Sequence, residues 1–203
     1  METAIIIAGF GGQGVLFAGQ LLAYAGMDSG KNVTWIPSYG PEMRGGTANC
    51  TVIINDEMIG APIVAHPDIA IALNLPSYDK YEPLVRPGGL LVVNSSLVAA
   101  TTTRDDIDAV YVPANAIAEE LGTVKMLNVA ALGAMLARRP VLSLKTLAQA
   151  LAAHLPSEKQ HLIESNLAVL EHGYQRCVAL PVKTHTNPGV VGSVLHLEQL
   201  NNL

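Results

Sequence analysis

The chain has 203 residues, half of them hydrophobic and only 14% charged, with a formal net charge of -5. That composition excludes a disordered chain and fits one good-sized domain with a large core; with no Lys/Arg cluster, it also excludes nucleic acid and anionic membrane as partners. The two cysteines, Cys50 and Cys177, lie far apart and neither has a C-x-x-C neighbour, which excludes an iron–sulfur or zinc site carried by this chain alone.

The first element, "TAIIIAG" (3–9), is a continuous β-branched run, the pattern of a strand buried on both faces. The N-terminus has no basic segment ahead of it and runs directly into glycines, so it reads as a core strand rather than a signal peptide. "GQGVLFAGQLLAYAGMDSG" (12–30) follows as a helix with the small residues Ala18, Gly19 and Ala23 along it, stopped at Gly30. "NVTWIP" (32–37) is the second strand, completing a βαβ unit. "TANCTVIIN" (47–55) and "EMIGAPIV" (57–64) are expected to form a β-hairpin around Asp56-Glu57.

"DIAIALN" (68–74) is a buried strand, and "SYDKYEPLV" (77–85) a short helix capped by Ser77. Further strands are expected at 90–94 and 108–114, and a short helix, "NAIAEELG", ends at Gly122. Beyond 124 the apolar spacing turns helical. One helix runs to Pro140, one starts at Ser143 as its cap, and a long amphipathic one spans 157–180. No apolar stretch approaches 18 residues without polar breaks, so no membrane-spanning helix is expected and the chain reads as cytoplasmic, with reduced thiols. The fold expected is a three-layer α/β/α sandwich with a mostly parallel, Rossmann-like sheet, an inserted β-hairpin and a helical C-terminal third; 1–180 form the domain and 181–203 a tail.

Two loops carry the chemical signal. "GFGGQG" places Gly9, Gly11 and Gly14 in the G-x-G-x-x-G spacing, after a strand and opening a helix. A dinucleotide site also needs an acidic residue near the end of the second strand, and "WIPSYG" has none, so the NAD or FAD reading fails. A tight packing turn remains one reading; the other has Gly12, Gln13 and the helix N-terminus facing a ligand or partner chain. The second loop, "SYGPEMRGG", leaves the carboxyl end of the second strand and is expected to share a rim with the first. Gly40, Gly45 and Gly46 open its backbone choices and Pro41 stiffens it. Arg44 either clamps a carboxylate or phosphate, or pairs with Glu42 on the surface at little energetic value.

"GFGGQGV" followed by "SYGPEMRGGTA" resembles the gamma subunit, or gamma domain, of 2-oxoacid:ferredoxin oxidoreductases. "PDIAIALNLPSYDKYEPLVRPGGLLVVNSSLV" and "MLNVAALGAML" extend the resemblance over about 1–175. It implies an α/β module of an enzyme that decarboxylates a 2-oxoacid, sends electrons to ferredoxin and makes acyl-CoA from coenzyme A. It also implies that thiamine diphosphate, magnesium and the iron–sulfur clusters sit on alpha, beta and ferredoxin-like delta partner subunits. No cofactor is then expected on this chain alone and no catalytic residue. Gly9, Gly11, Gly12, Gln13 and Gly14, with Ser38, Tyr39, Gly40, Pro41, Glu42, Met43, Arg44, Gly45 and Gly46, are expected to line a ligand or subunit interface toward the oxoacid or coenzyme A. A subunit of an indolepyruvate:ferredoxin oxidoreductase and a stand-alone nucleotide-binding α/β protein are the alternatives.

The remaining polar residues call for plainer readings. His66, His154, His161, His172, His185 and His196 show no metal spacing. Asp105, Asp106 and Asp108 read as a solvated loop, and Ser95 and Ser96 as a helix cap at a strand end. Trp35 is either core or interface, and Tyr39 an interface aromatic.

Overall fold

A computed structural model describes residues 2–38 and 47–178. Six strands form one sheet in the order β2-β3-β1-β4-β5-β6. They are β1 (Thr3–Phe10), β2 (Asn32–Ser38), β3 (Thr47–Asn55), β4 (Ile69–Ala72), β5 (Leu90–Asn94) and β6 (Asp108–Val112). β1, β4, β5 and β6 are parallel neighbours. β3 runs antiparallel between β2 and β1, so β2 points the same way as β1. Five of the six strands therefore end at one edge, as the sequence reading expects of a doubly wound sheet.

β1 sits in the middle because both its faces are apolar. Ile5 and Ile7 enter one core and Ile6 and Ala8 the other, the alternation that a pleated strand imposes. Burying each isoleucine contributes about 2–3 kcal/mol. The thicker layer holds α1 (Val15–Asp28), α3 (Ala114–Glu120), α4 (Leu127–Arg138), α5 (Leu144–His154) and α6 (Ile163–Val178). The opposite layer is thinner: α2 (Leu75–Tyr81) with Tyr78 and Tyr81, backed by Val85, Val98 and Ile107. This is the expected three-layer architecture with a helical C-terminal portion.

Several local expectations are corrected. The antiparallel hairpin is formed by β2 and β3, not by 47–55 with 57–64. Both edges of β3 are already occupied, by β2 and β1, so 57–64 has no edge to join and forms no strand. Ser77 does not cap α2. Asn74 does, accepting from the Ser77 backbone N–H at 2.9 Å, because the helix starts two residues earlier. The helix expected from 157 begins with a 3-10 turn at Ser157–Leu162, and α-helical pairing starts only at Ile163. Ser143, by contrast, caps α5 as expected, accepting from Thr146 N.

Ser95 and Ser96 cap no helix; they sit in the turn after β5, where Ser96 N–H donates to Asn94 Oδ1 at 3.3 Å. Asp108 is not a solvated loop residue. It opens β6, is 8% exposed, and binds Arg138 of α4 in a two-point pair at 2.7 and 3.0 Å, fixing α4 to the amino-terminal edge of the sheet. Asp106 pairs with Arg104 in the preceding loop. Trp35 packs from β2 against the core beneath α1. Among the described residues, no helix is long and apolar enough to cross a membrane.

Candidate functional site

The glycine turn leaves β1 at the carboxyl edge and opens α1. Gly12 and Gly14 have φ of 96° and 74°, left-handed backbone that side chains with a Cβ resist. At Gly14 a Cβ would also lie 2.6 Å from Asn128 Nδ2 of α4. At Gly12 nothing lies within 4 Å, so its position is open toward solvent. Gly9 is small for a packing reason: a Cβ there would lie 2.6 Å from Gln13 Oε1 and 3.0 Å from the Leu73 and Val15 side chains. Two of the three glycines of the fingerprint spacing, Gly9 and Gly14, are therefore packing devices, while Gly11 and the neighbouring Gly12 are exposed.

Gln13 is held inside the chain at both ends of its amide. Its Oε1 accepts from the Phe10 N–H at 2.6 Å, and its Nε2 donates to the Leu73 carbonyl at 3.2 Å. The turn that closes β1 is thus fastened to the end of β4. The same Leu73 carbonyl accepts from Asn94 Nδ2 at 3.2 Å. Asn94 also donates to Asn115 Oδ1 at 2.9 Å, while its Oδ1 accepts from the Ala114 and Ser96 N–H groups. A line of amides therefore ties the ends of β1, β4 and β5 to the start of α3 and makes this rim rigid. Asn94 and Asn128 escape a motif search; their signal is an Asn directly after an apolar strand ("LVVN") or at the start of an apolar helix ("LNVAAL").

α1 begins without a side-chain cap and without an acidic residue in its first turn, leaving its first N–H groups and positive end available to an anion. At the same edge of the sheet three large apolar side chains stand exposed: Phe10 (39%) closes β1, Leu75 (44%) starts α2 after β4, and Leu97 (48%) lies in the turn after β5. Large apolar side chains left exposed are a general mark of interaction surfaces.

The described residues that flank the second loop reach this rim by register. Ser38, the last residue of β2, pairs with Asn49, and Thr47, the first of β3, pairs with Phe10. Ser38 and Thr47, the described residues on either side of 39–46, therefore lie at the carboxyl edge beside the glycine turn, with β3 separating β2 from β1. Tyr39, Gly40, Pro41, Glu42, Met43, Arg44, Gly45 and Gly46 themselves lie outside the described residues, as do His185, His196 and the tail 181–203.

The cysteines do not fit a cluster. Cys50 is buried in β3 under α1 and Cys177 is buried in α6. Burial pushes each thiol up to about 11, the reverse of what a thiolate ligand requires. Among the described residues no three His, Cys, Asp or Glu side chains gather to hold a metal. His154 instead stacks on Tyr24 at 4.2 Å and meets Asp28 at 2.9 Å between α5 and α1.

The sequence matches the pyruvate ferredoxin/flavodoxin oxidoreductase family over residues 4–176. It is 40% identical over 173 residues to the ketoisovalerate oxidoreductase subunit VorA of Methanothermobacter marburgensis, covering 85% of this chain and 36% of that protein. The chain thus spans about a third of that relative's length. It is 33% identical over 178 residues to the 2-oxoglutarate synthase subunit KorC of Methanocaldococcus jannaschii, covering 86% of this chain and 94% of the relative. The fold superposes on the gamma subunit of a keto/oxoacid ferredoxin oxidoreductase from Geobacter sulfurreducens with a TM-score of 0.76 at 30% identity, over 88% of this chain and 99% of that one. A 2-oxoglutarate:ferredoxin oxidoreductase from Magnetococcus marinus shares the fold at a TM-score of 0.80 and 23% identity, over 89% of this chain and 32% of that chain. The chain belongs to the pyruvate ferredoxin/flavodoxin oxidoreductase family, where it is homologous to subunits of the gamma type.

Proposed function

We propose that this chain is the gamma subunit of a cytoplasmic, multi-subunit 2-oxoacid:ferredoxin oxidoreductase, and that its carboxyl rim faces the subunits that hold the cofactors. In this reading the reaction is the oxidative decarboxylation of a 2-oxoacid with coenzyme A, giving acyl-CoA and electrons for ferredoxin. Thiamine diphosphate, magnesium and the iron–sulfur clusters belong to alpha, beta and ferredoxin-like delta partners. The residues of this chain bind and orient; they carry no bond-making step. The substrates named for the relatives, ketoisovalerate at 40% identity and 2-oxoglutarate at 33%, favour a branched-chain oxoacid or 2-oxoglutarate. An indolepyruvate oxidoreductase subunit is a more distant relative, at 26% identity.

The observation that carries the reading is the strand register. Phe10↔Thr47 and Ser38↔Asn49 set the start of the glycine turn and the two residues that flank 39–46 on one edge, where Phe10, Leu75 and Leu97 stand exposed. The apolar side chains supply area for a partner subunit. Gly12 allows close backbone approach, and the uncapped start of α1 attracts negative charge. Arg44 joins that rim in this reading and pairs with a carboxylate or phosphate of the oxoacid or coenzyme A. Loss of one charge-assisted contact of this kind costs about 2–3 kcal/mol, so Arg44→Ala in the assembled enzyme is expected to raise the KM for one of the two substrates about 30–100-fold. Steady-state kinetics on the purified complex check this, with size-exclusion chromatography confirming assembly. Unchanged kinetics for both substrates in an intact complex would remove Arg44 from the site.

A further inference from the structure

A cavity of about 330 Å³ lies where the first turns of three helices meet. Gly14 and Phe17 enter it from the start of α1, Met126 and Asn128 from the start of α4, and Leu162 and Asn166 from the start of α6. All three helices have twelve or more residues; α1 starts there as a free positive end, while 3-10 turns at Val124–Met126 and Ser157–Leu162 lead into α4 and α6. Neither α1 nor α4 has an acidic residue in its first turn; Glu164 of α6 does not line the cavity. Two ammonium groups, Lys125 and Lys159, stand on the wall together with Thr123, and no carboxylate does. Among the described residues neither lysine has an ion-pair partner; the salt bridges involve Lys31, Arg86, Arg104, Arg138 and His154.

Two deeply buried amides add a second kind of recognition. Asn128 and Asn166 are 3% and 4% exposed. Each donates its N–H to a backbone carbonyl: Asn128 to Gly14 at 3.0 Å, Asn166 to Leu162 at 2.8 Å. A carbonyl partner fixes the amide orientation, because only the nitrogen side can donate. Their Oδ1 atoms are left as acceptors without a partner among the described residues. Phe17, Met126, Leu155 and Leu162 give the cavity apolar sides.

We propose that this cavity is a binding site for a nucleotide-type organic phosphate. The lysines and the start of α1 match its phosphate, the two amide oxygens match N–H donors on a base, and the apolar sides match the flat faces of a ring. A bare inorganic anion would leave the amide oxygens and the apolar walls unused, and a purely apolar ligand would leave the ammonium groups and the start of α1 unused. The volume falls at the small end of ligand pockets, which suits a mononucleotide or one end of a larger cofactor. A free nucleotide and the nucleotide end of coenzyme A share this chemistry.

Isothermal titration of the full chain with ADP, with coenzyme A and with inorganic phosphate tests the proposal without any partner subunit. ADP is expected to bind with one site, and the Lys125→Ala/Lys159→Ala variant to weaken it at least tenfold with an unchanged melting temperature in the absence of ligand. Asn166→Asp, which places a negative charge on the cavity wall, is expected to abolish binding, and inorganic phosphate to bind far more weakly than ADP. Competition between coenzyme A and ADP would identify the nucleotide end of coenzyme A as the occupant, and ADP binding without such competition a free nucleotide. No binding of ADP, binding indifferent to the lysine variant, or inorganic phosphate binding as tightly as ADP would overturn the proposal.

Discussion

Cys50 and Cys177 show how position sets chemistry in single side chains. For Cys50, burial is the largest influence, partly offset by the Trp35 indole and the Gly19 backbone. For Cys177, burial again dominates, offset by Arg138 and Arg176. Both thiols rise from 9.0 to about 11. Folding therefore holds a proton that the unfolded chain releases. The stabilisation is complete below pH 9 and is lost as pH rises through about 11. The melting temperature is expected to fall across that window, and less steeply in a Cys50→Ala/Cys177→Ala variant. At pH 8 neither thiol of the folded chain should be alkylated by iodoacetamide, as mass spectrometry would read; rapid labelling without unfolding would contradict the burial account. The sequence supports two reduced thiols and no cluster. It cannot show how deep they lie, because that depends on α1 crossing β3 at Gly19. The same limit applies to Gln13. Its place in a glycine turn suggests a ligand contact, while its amide is engaged by Phe10 and by Leu73, the latter 60 residues further along the chain.

Helices α4 and α6 meet at the closest approach in the thick layer. A Cβ on Gly133 would press into the backbone of α6, 2.8 Å from Tyr174 N, and one on Gly173 into the backbone of α4, 2.8 Å from Ala130 Cα. The contacts are reciprocal, so either Gly→Ala change must separate the helices. Overpacking of this kind costs about 2–3 kcal/mol, or about 5–10 °C in melting temperature for a chain of this size. Calorimetry on Gly133→Ala and Gly173→Ala checks this; a melting temperature within about 1 °C of the parent would show that the helices do not touch there. The periodic apolar spacing of 127–138 and the stop at Pro140 were readable because they are local. The glycine pairing was not, since it depends on which helix lies opposite. For the same reason β3 was legible as a strand while its partners were not: "TANCTVIIN" declares an extended run, but only the closed sheet shows that it fills the gap between β2 and β1.

At the scale of the whole molecule, strand direction organises the surface. Five strands end on one edge, and the rigid amide line, the apolar trio and the start of α1 lie along it. The order strand, glycine turn, helix, strand was enough to expect the two loops on that edge, because parallel strands joined by a helix share a carboxyl end. The apolar trio was not legible: Phe10, Leu75 and Leu97 sit in separate stretches, and each alone reads as part of a core. The most direct test is purification of the tagged chain from its native cells without oxygen, followed by an assay of 2-oxoacid- and coenzyme A-dependent reduction of a viologen dye. Co-purifying thiamine- and cluster-binding chains with that activity, both lost when Leu97→Glu places a charge on the rim, is the result expected. A chain that elutes alone, with no activity toward any of several 2-oxoacids, would contradict it.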